Sequence, residues 1–362
     1  MHIGTGFFFQ GIADPVDAQV YRIQMPLIER AEDLGFESIW TPEHHFTRYH
    51  MMPNPAQFLT WVAAKTKRAL VGSMVMIIPW HNPIRVAEEF AVLDILSGGR
   101  AVLGLGRGLG AVEFDGFHLE MGESRQRFIE YAGAISRGLE TGVLSSDGEL
   151  YKQVPVEIRP RPEYTFKGRS YASAVSPESA RIMAQFGFGL MLIAQKPWET
   201  VVKETRAYAE LYESINGYAA PRPILVNLTT VDRDAGRARA LHDEYTMAYA
   251  RTTIEHYEFD NPRMETVSGY EYYGGLRRNI EKHGVLQFNR FLADLQISGT
   301  PQQVIDATMD RVRALDCAAV INVLTMGGMP QDVAHKNFMT YAEDVLPTLK
   351  GIDTFRTIGR QA

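Results

Sequence analysis

Eight short runs rich in β-branched and aromatic residues, each followed by a longer stretch of helical period, constrain this chain more than any other feature. The strand candidates are His2–Phe9, Ser38–Thr41, Ala69–Ile77, Ala101–Gly106, Arg169–Ala174, Leu190–Ile193, Pro223–Val231 and Ala319–Leu324. Helices are expected after each, at about Gln19–Leu34, Pro55–Thr66, Ile84–Leu96, Glu123–Thr141, Pro177–Phe186, Trp198–Asn216, Pro301–Leu315 and Gln331–Val345. Strands alternating with helices this way build a parallel sheet. Eight such units favour a closed (β/α)8 TIM barrel over an open doubly wound sheet, which more often stops at five or six strands. Some helix ends are written in the sequence: Gly35 stands where a left-handed C-cap is wanted, and Thr300-Pro301 with Gln303 reads as N-cap, first-turn proline and capping-box partner.

A barrel needs only about 250 residues, and this chain has 362. It reads as one domain over residues 1–350 with a C-terminal tail over 351–362. The surplus falls at 145–162, punctuated by Gly and Pro as a small hairpin would be, and at 252–298, after a seventh-strand helix near Asp234–Arg251. Insertions after barrel strands lie at the catalytic face, so the second is expected to be an active-site lid.

Composition narrows the function classes. The net charge of −6 is spread over the whole chain, without the basic stripe that nucleic acid or a membrane surface requires. No apolar run reaches the roughly 18 residues of a membrane span. The one cysteine, Cys317, permits neither an internal disulfide nor a Cys-x-x-Cys motif. A soluble, unprocessed, cytoplasmic protein is expected.

Glu43-His44-His45 follows the second strand, where barrels carry catalytic groups. His44 can serve as a general base, with Glu43 as the adjacent carboxylate that orients it. Two other readings stand beside this: histidines that satisfy buried backbone groups, and a metal set of Glu43, His45 and His81. The metal set lacks the His-x-His pair or acidic cluster that would support it, and no metal is expected. Arg107 sits in a glycine-rich loop, Gly104 to Gly110, where a guanidinium can grip phosphate or make a surface salt bridge. Gly106, Gly108 and Ala111 mimic a dinucleotide fingerprint, but residues 113–120 do not begin a convincing helix. Ser176-Pro177 caps the helix after strand five, which is an anion site or an ordinary cap. Phe7, Phe8, Phe9, Met51, Met52 and residues 74–81 supply an apolar lining, part of it barrel core.

Trp40-Thr-Pro-Glu-His-His-Phe46, Ile78-Pro-Trp-His-Asn-Pro83, Leu93-Asp-Ile-Leu-Ser-Gly-Gly-Arg100, Gly104-Leu-Gly-Arg-Gly108, Ala184-Gln-Phe-Gly187 and Gly299-Thr-Pro-Gln302 together resemble bacterial luciferase and its relatives. The likeness runs from His2 to about Leu349. It implies a dimeric (β/α)8 barrel that takes reduced FMN from a separate flavin reductase. With O2 the flavin gives a C4a-peroxide that oxidises a small apolar substrate such as an aldehyde, ketone or terpene. The resemblance makes His44 the catalytic histidine and Glu43 the carboxylate beneath the flavin ring. It puts a non-proline cis peptide at Met74-Val75 and cofactor contacts at Arg107, Leu109, Ala174, Val175, Ser176 and Ser179. Gly106 stands where the luciferase α chain has a reactive cysteine, which implies a wider bay beside the ring and no thiol chemistry; with Gly110, Val175 and Ala194 also departing from that chain, the resemblance does not extend to light emission. Phe58, Leu59 and Trp61 are expected at a homodimer interface. An oxidoreductase using deazaflavin F420 and a non-catalytic flavin-binding protein are the alternatives.

Overall fold

Eight parallel strands hydrogen-bond in a closed ring in the computed structural model, which describes residues 1–12, 16–173, 177–259 and 261–353. They are β1 (His2–Gly6), β2 (Ser38–Thr41), β3 (Leu70–Ser73), β4 (Ala101–Gly106), β5 (Ser170–Ala172), β6 (Gly189–Ile193), β7 (Ile224–Val231) and β8 (Ala319–Val323). Each pairs with the next. The ring closes through β8 on β1, with His2 opposite Ala319 and Gly6 opposite Val323. Around it stand α1 (Asp17–Ala31), α2 (Pro55–Lys65), α3 (Pro83–Ser97), α4 (Ser124–Thr141), α5 (Pro177–Gln185), α6 (Trp198–Asn216), α7 (Pro301–Leu315) and α8 (Gln331–Asp344). The TIM barrel is therefore the fold. Among the described residues no helix is long and apolar enough to cross a membrane.

Period-two alternation sorts the strand residues. Ile39, Leu103, Leu225 and Val320 face the helices in one buried cluster, while their neighbours Trp40, Val102, Val226 and Ile321 fill the ring in a second. The indole of Trp40 fits because β3 carries glycine beside it: a Cβ on Gly72 would lie 2.2 Å from the ring. The capping box of α7 is present, with the Thr300 side chain accepting from Gln303 N and the Gln303 side chain accepting from Thr300 N.

Several expectations need correction. The third strand breaks in two, at Leu70–Ser73 and Met76–Ile77, on either side of the cis Met74–Val75 bond. Residues 111–116 do form a helix, stopped after under two turns by Asp115-Gly116 and too short to display a period. A three-residue strand, Ile297–Gly299, adds to β7 and escaped notice for the same reason. Phe58 and Leu59 lie in the chain's own core, packed by α2 against the barrel, so they give no face to a second copy. The first insertion is an antiparallel hairpin, Val143–Asp147 with Lys152–Glu157. The second is helical: Met247–Tyr257, Arg263–Thr266, Glu271–His283 and Val285–Asp294. Its apolar residues, Ile254, Phe259 and Tyr270 among them, meet Ala111, Phe114 and Met121 in a third cluster that covers one side of the mouth.

The opposite end of the barrel is held by a buried ion pair. Arg169, just before β5, donates to both oxygens of Asp94 on α3 (2.7 and 3.1 Å) and to the Ala101 carbonyl at the start of β4 (2.7 Å). Both side chains are essentially solvent-free. Replacing Arg169 with Met should therefore destabilise the chain by about 3–5 kcal/mol, because the buried Asp94 charge loses its cation and, among the described residues, keeps only the Ala101 N–H as a donor. Arg169→Met with Asp94→Leu should recover much of that loss. Urea unfolding of wild type and both variants checks this, and a single mutant as stable as wild type overturns it.

Candidate active site

The chain leaves β2 at Thr41 and turns through Pro42 into Glu43, His44 and His45, and the first two of these line the cavity at the mouth of the barrel. They do not act as one group. One oxygen of Glu43 accepts from Nε2 of His45 (2.9 Å) and Nε2 of His81 (2.6 Å), and its other oxygen accepts from the backbone N–H of Ile77 (2.8 Å). Burial alone would raise the Glu43 pKa; the hydrogen bonds from His45 and His81 outweigh it and hold the carboxyl below its usual range.

The expectation that Glu43 orients His44 is thus corrected: the carboxylate on His44 is Glu113, in the short helix after the glycine-rich loop. Nδ1 of His44 lies 3.0 Å from Glu113 Oε1, which also accepts from the His45 N–H (2.8 Å). Glu113 is fully buried, and burial would raise its pKa, yet the neighbouring His44 and His256 bring it down to about 2. Two lid residues complete the group. Nε2 of His256 is 3.1 Å from His44 Nδ1, and the Tyr257 hydroxyl is 3.3 Å from His44 Nε2. Glu113, His256 and Tyr257 lie far from His44 in sequence, and nothing in the sequence reading joined them to it.

A cavity of about 380 Å³ opens beside this group. Such a volume suits a small ligand. Phe8, Met74, Val75, Ile77, Met191 and Ile193 are among its apolar walls. Phe7, Phe9, Met51 and Met52, expected at the same cavity, pack under the helices instead. Gly106 does not open a wider bay: a Cβ there would lie 2.5 Å from Val75 and 2.7 Å from Ile77, so these two side chains already fill the space.

At the cavity's other end, Arg107 stacks on the lid residue Tyr270 (4.1 Å from guanidinium carbon to ring centre) and donates through Nη2 to the Gly269 carbonyl (2.8 Å). Its Nη1 is buried and has no hydrogen-bond partner among the described residues. Arg125, which sequence reasoning missed, comes to the same place: a Cβ on Gly269 would lie 3.0 Å from Arg107 Nη1 and 3.3 Å from Arg125 Nη2. Leu109 and Ser179 also line the cavity. Ala174, Val175 and Ser176 lie outside the described residues.

A closed parallel barrel whose mouth joins an apolar cavity, a buried imidazole–carboxylate pair and a lid-held arginine defines the class of barrel enzymes that enclose their ligands at the C-terminal face. Residues 1–316 match the family model described as luciferase-like monooxygenase, and the chain belongs to that family. It is similar to the alkanal monooxygenase alpha chain of Photorhabdus luminescens, with 27% identity over 336 residues that cover 88% of this chain and 89% of the relative. Two solved structures share the fold. Monooxygenase RslO1 from Streptomyces bottropensis has a TM-score of 0.79 at 24% identity, covering 96% of this chain and 100% of that one. The oxygenating constituent of 3,6-diketocamphane monooxygenase of Pseudomonas putida, in complex with FMN, has a TM-score of 0.72 at 17% identity, covering 98% and 100%.

The Glu43–His81 contact gives a direct test. Burial pushes the His81 pKa down, but the hydrogen bond and charge of Glu43 overcome this and leave it raised above the ordinary 6.5. The stabilisation tied to His81 is therefore present at low pH and lost as pH rises through its raised pKa; that tied to Glu43 is lost as pH falls through its lowered one. An NMR titration of His81 should place its midpoint above 6.5 in wild type and bring it down in Glu43→Gln. An unmoved midpoint would show that Glu43 is not the cause.

Proposed function

We propose that this chain is the oxygenase of a two-component system, using reduced FMN from a separate reductase, and O2, to oxidise a small apolar substrate such as an aldehyde, ketone or terpene. The observation that carries the reading is the buried Arg107 Nη1, an N–H group with no hydrogen-bond partner among the described residues, beside an apolar cavity. A buried donor left unmade is unfavourable by about 1–3 kcal/mol, and a phosphate oxygen would satisfy it. Arg125 adds a second positive charge there, and Leu109 and Ser179 line the same end. The name of the Photorhabdus relative and the FMN bound in the Pseudomonas structure support the reading.

The residues present fit a flavin mononucleotide: Arg107 and Arg125 for its phosphate, Met74, Val75 and Ile77 against its ring. When bound, the reduced flavin supplies the electrons that activate O2. The chain supplies the proton chemistry and the dry enclosure. Glu113, held ionised, can only accept hydrogen bonds. His44 therefore carries its proton on Nδ1, toward Glu113, and Nε2 is the basic atom, facing the Tyr257 hydroxyl. Burial first, then the neighbouring Tyr249 and Glu113, hold the Tyr257 pKa well above its usual value, so its hydroxyl stays protonated and can donate to that nitrogen. Tyr257, Gly269 and Tyr273 on the lid line the cavity, and a ligand enclosed behind them is shielded from bulk water.

Arg107→Ala should weaken FMN binding by at least about tenfold, the scale of one charge-assisted hydrogen bond, with the melting temperature little changed. Fluorescence titration with FMN, and with F420 as competitor, measures this. An unchanged dissociation constant removes Arg107 from the cofactor site, and tighter binding of F420 favours hydride transfer over oxygenation.

His44→Ala should leave reduced-flavin binding nearly intact while product formation falls about 10²-fold, the scale for a lost general base. Oxygen uptake should continue with release of hydrogen peroxide in place of product. Oxygen electrode, peroxide assay and product yield in wild type and mutant make the comparison, and normal coupling in the mutant overturns the assignment.

A further inference from the structure

We infer that His44, Glu113 and His256 form a binding site for a divalent first-row transition-metal ion. One ligand atom from each lies within 4.8 Å of the other two, and all three residues are buried. The closest separations are 3.0 Å from His44 Nδ1 to Glu113 Oε1, 3.1 Å from His44 Nδ1 to His256 Nε2 and 3.4 Å from His256 Nε2 to Glu113 Oε2. Tetrahedral ligands at the usual metal–nitrogen and metal–oxygen lengths stand about 3.3 Å apart.

Hydrogen bonding alone does not satisfy this arrangement. If both imidazoles donate to Glu113, their N–H groups oppose each other across 3.1 Å. If His44 instead donates to His256, Glu113 Oε2 loses its donor; among the described residues that oxygen is buried without a hydrogen-bond partner, with His256 Nε2 standing 3.4 Å away. A cation accepts electron pairs from all three residues at once. The rings are also held from behind, as ligating histidines usually are: Thr47 Oγ1 lies 2.8 Å from His256 Nδ1 and the Tyr257 hydroxyl 3.3 Å from His44 Nε2. Two imidazoles and one carboxylate suit zinc, iron or cobalt better than the all-oxygen preference of magnesium or calcium. His44 and Glu113 line the cavity, which leaves room for water as a further ligand. Because His256 belongs to the lid and the other two to the barrel loops, the ion would latch lid to barrel. Binding rests on this geometry alone; its effect on turnover rests on the proposed role of His44, whose Nδ1 the ion would occupy.

The test adds Co²⁺ to the full chain free of flavin. A saturable ligand-field absorption is expected at one ion per chain, displaced by Zn²⁺ and removed by EDTA. His256→Gln and Glu113→Gln should each lower the affinity by at least about tenfold. No saturable band, or the same affinity in both variants, overturns the site and marks surface binding. Should a variant fail to fold, the wild-type Co²⁺ form decides: hyperfine-shifted proton resonances from two imidazoles are expected, and any other number overturns the proposal. A second arm adds Zn²⁺ before reduced FMN and substrate, and product formation should fall. Zn²⁺ that binds without that effect leaves the site standing and removes His44 as the base.

Discussion

The ladder between the first and last strands is the constraint on which the rest of the molecule depends. Once His2 to Gly6 lie against Ala319 to Val323, each of the eight ring strands has two neighbours and the ring has no open edge. All the strands then point the same way, and the loops that follow them gather at one mouth. Glu43 after β2, Met74 and Val75 after β3, Arg107 after β4 and the lid after β7 meet for that reason. Backbone pairing brings together groups that no local preference could.

The two carboxylates at this mouth divide their labour. Glu43 takes three donors from His45, His81 and Ile77, and so fixes the loop after β2 to the strand beside it. Glu113 ties the glycine-rich loop to His44 and, through His256, to the lid. Each carries a buried negative charge that would be unfavourable without these partners. The partners come from different segments, so the charges hold the segments in place as much as the segments hold the charges.

The fold was legible because its signals are local. Alternation in Ala101–Gly106 and helical period in Trp198–Asn216 survive in any sequence window, and the observed bounds of both agree. The capping box at Thr300 spans only four residues, Thr300 to Gln303. Candidate site residues were legible where they adjoin a strand end, as Glu43, His44 and Arg107 do, and these three line the cavity. Pairing across the chain was not. Glu43 stands next to His44 in sequence and was assigned to it, whereas neighbouring side chains at the end of a strand point to opposite sides. His256 and Tyr257 carried no local mark, since a histidine and a tyrosine in an amphipathic lid helix read as packing.

Arg107 meets the lid in a way that bears on affinity rather than contact. The Tyr270 ring lies against its guanidinium, and the phenol is itself fixed by Ser124 (2.8 Å) and the Gly108 carbonyl (2.9 Å). An arginine free to turn in solvent carries about 2 kcal/mol of rotamer entropy. Here that freedom has already been given up in folding. An anion arriving at this side chain meets one rotamer instead of an ensemble, and its binding energy is not spent on ordering the arginine.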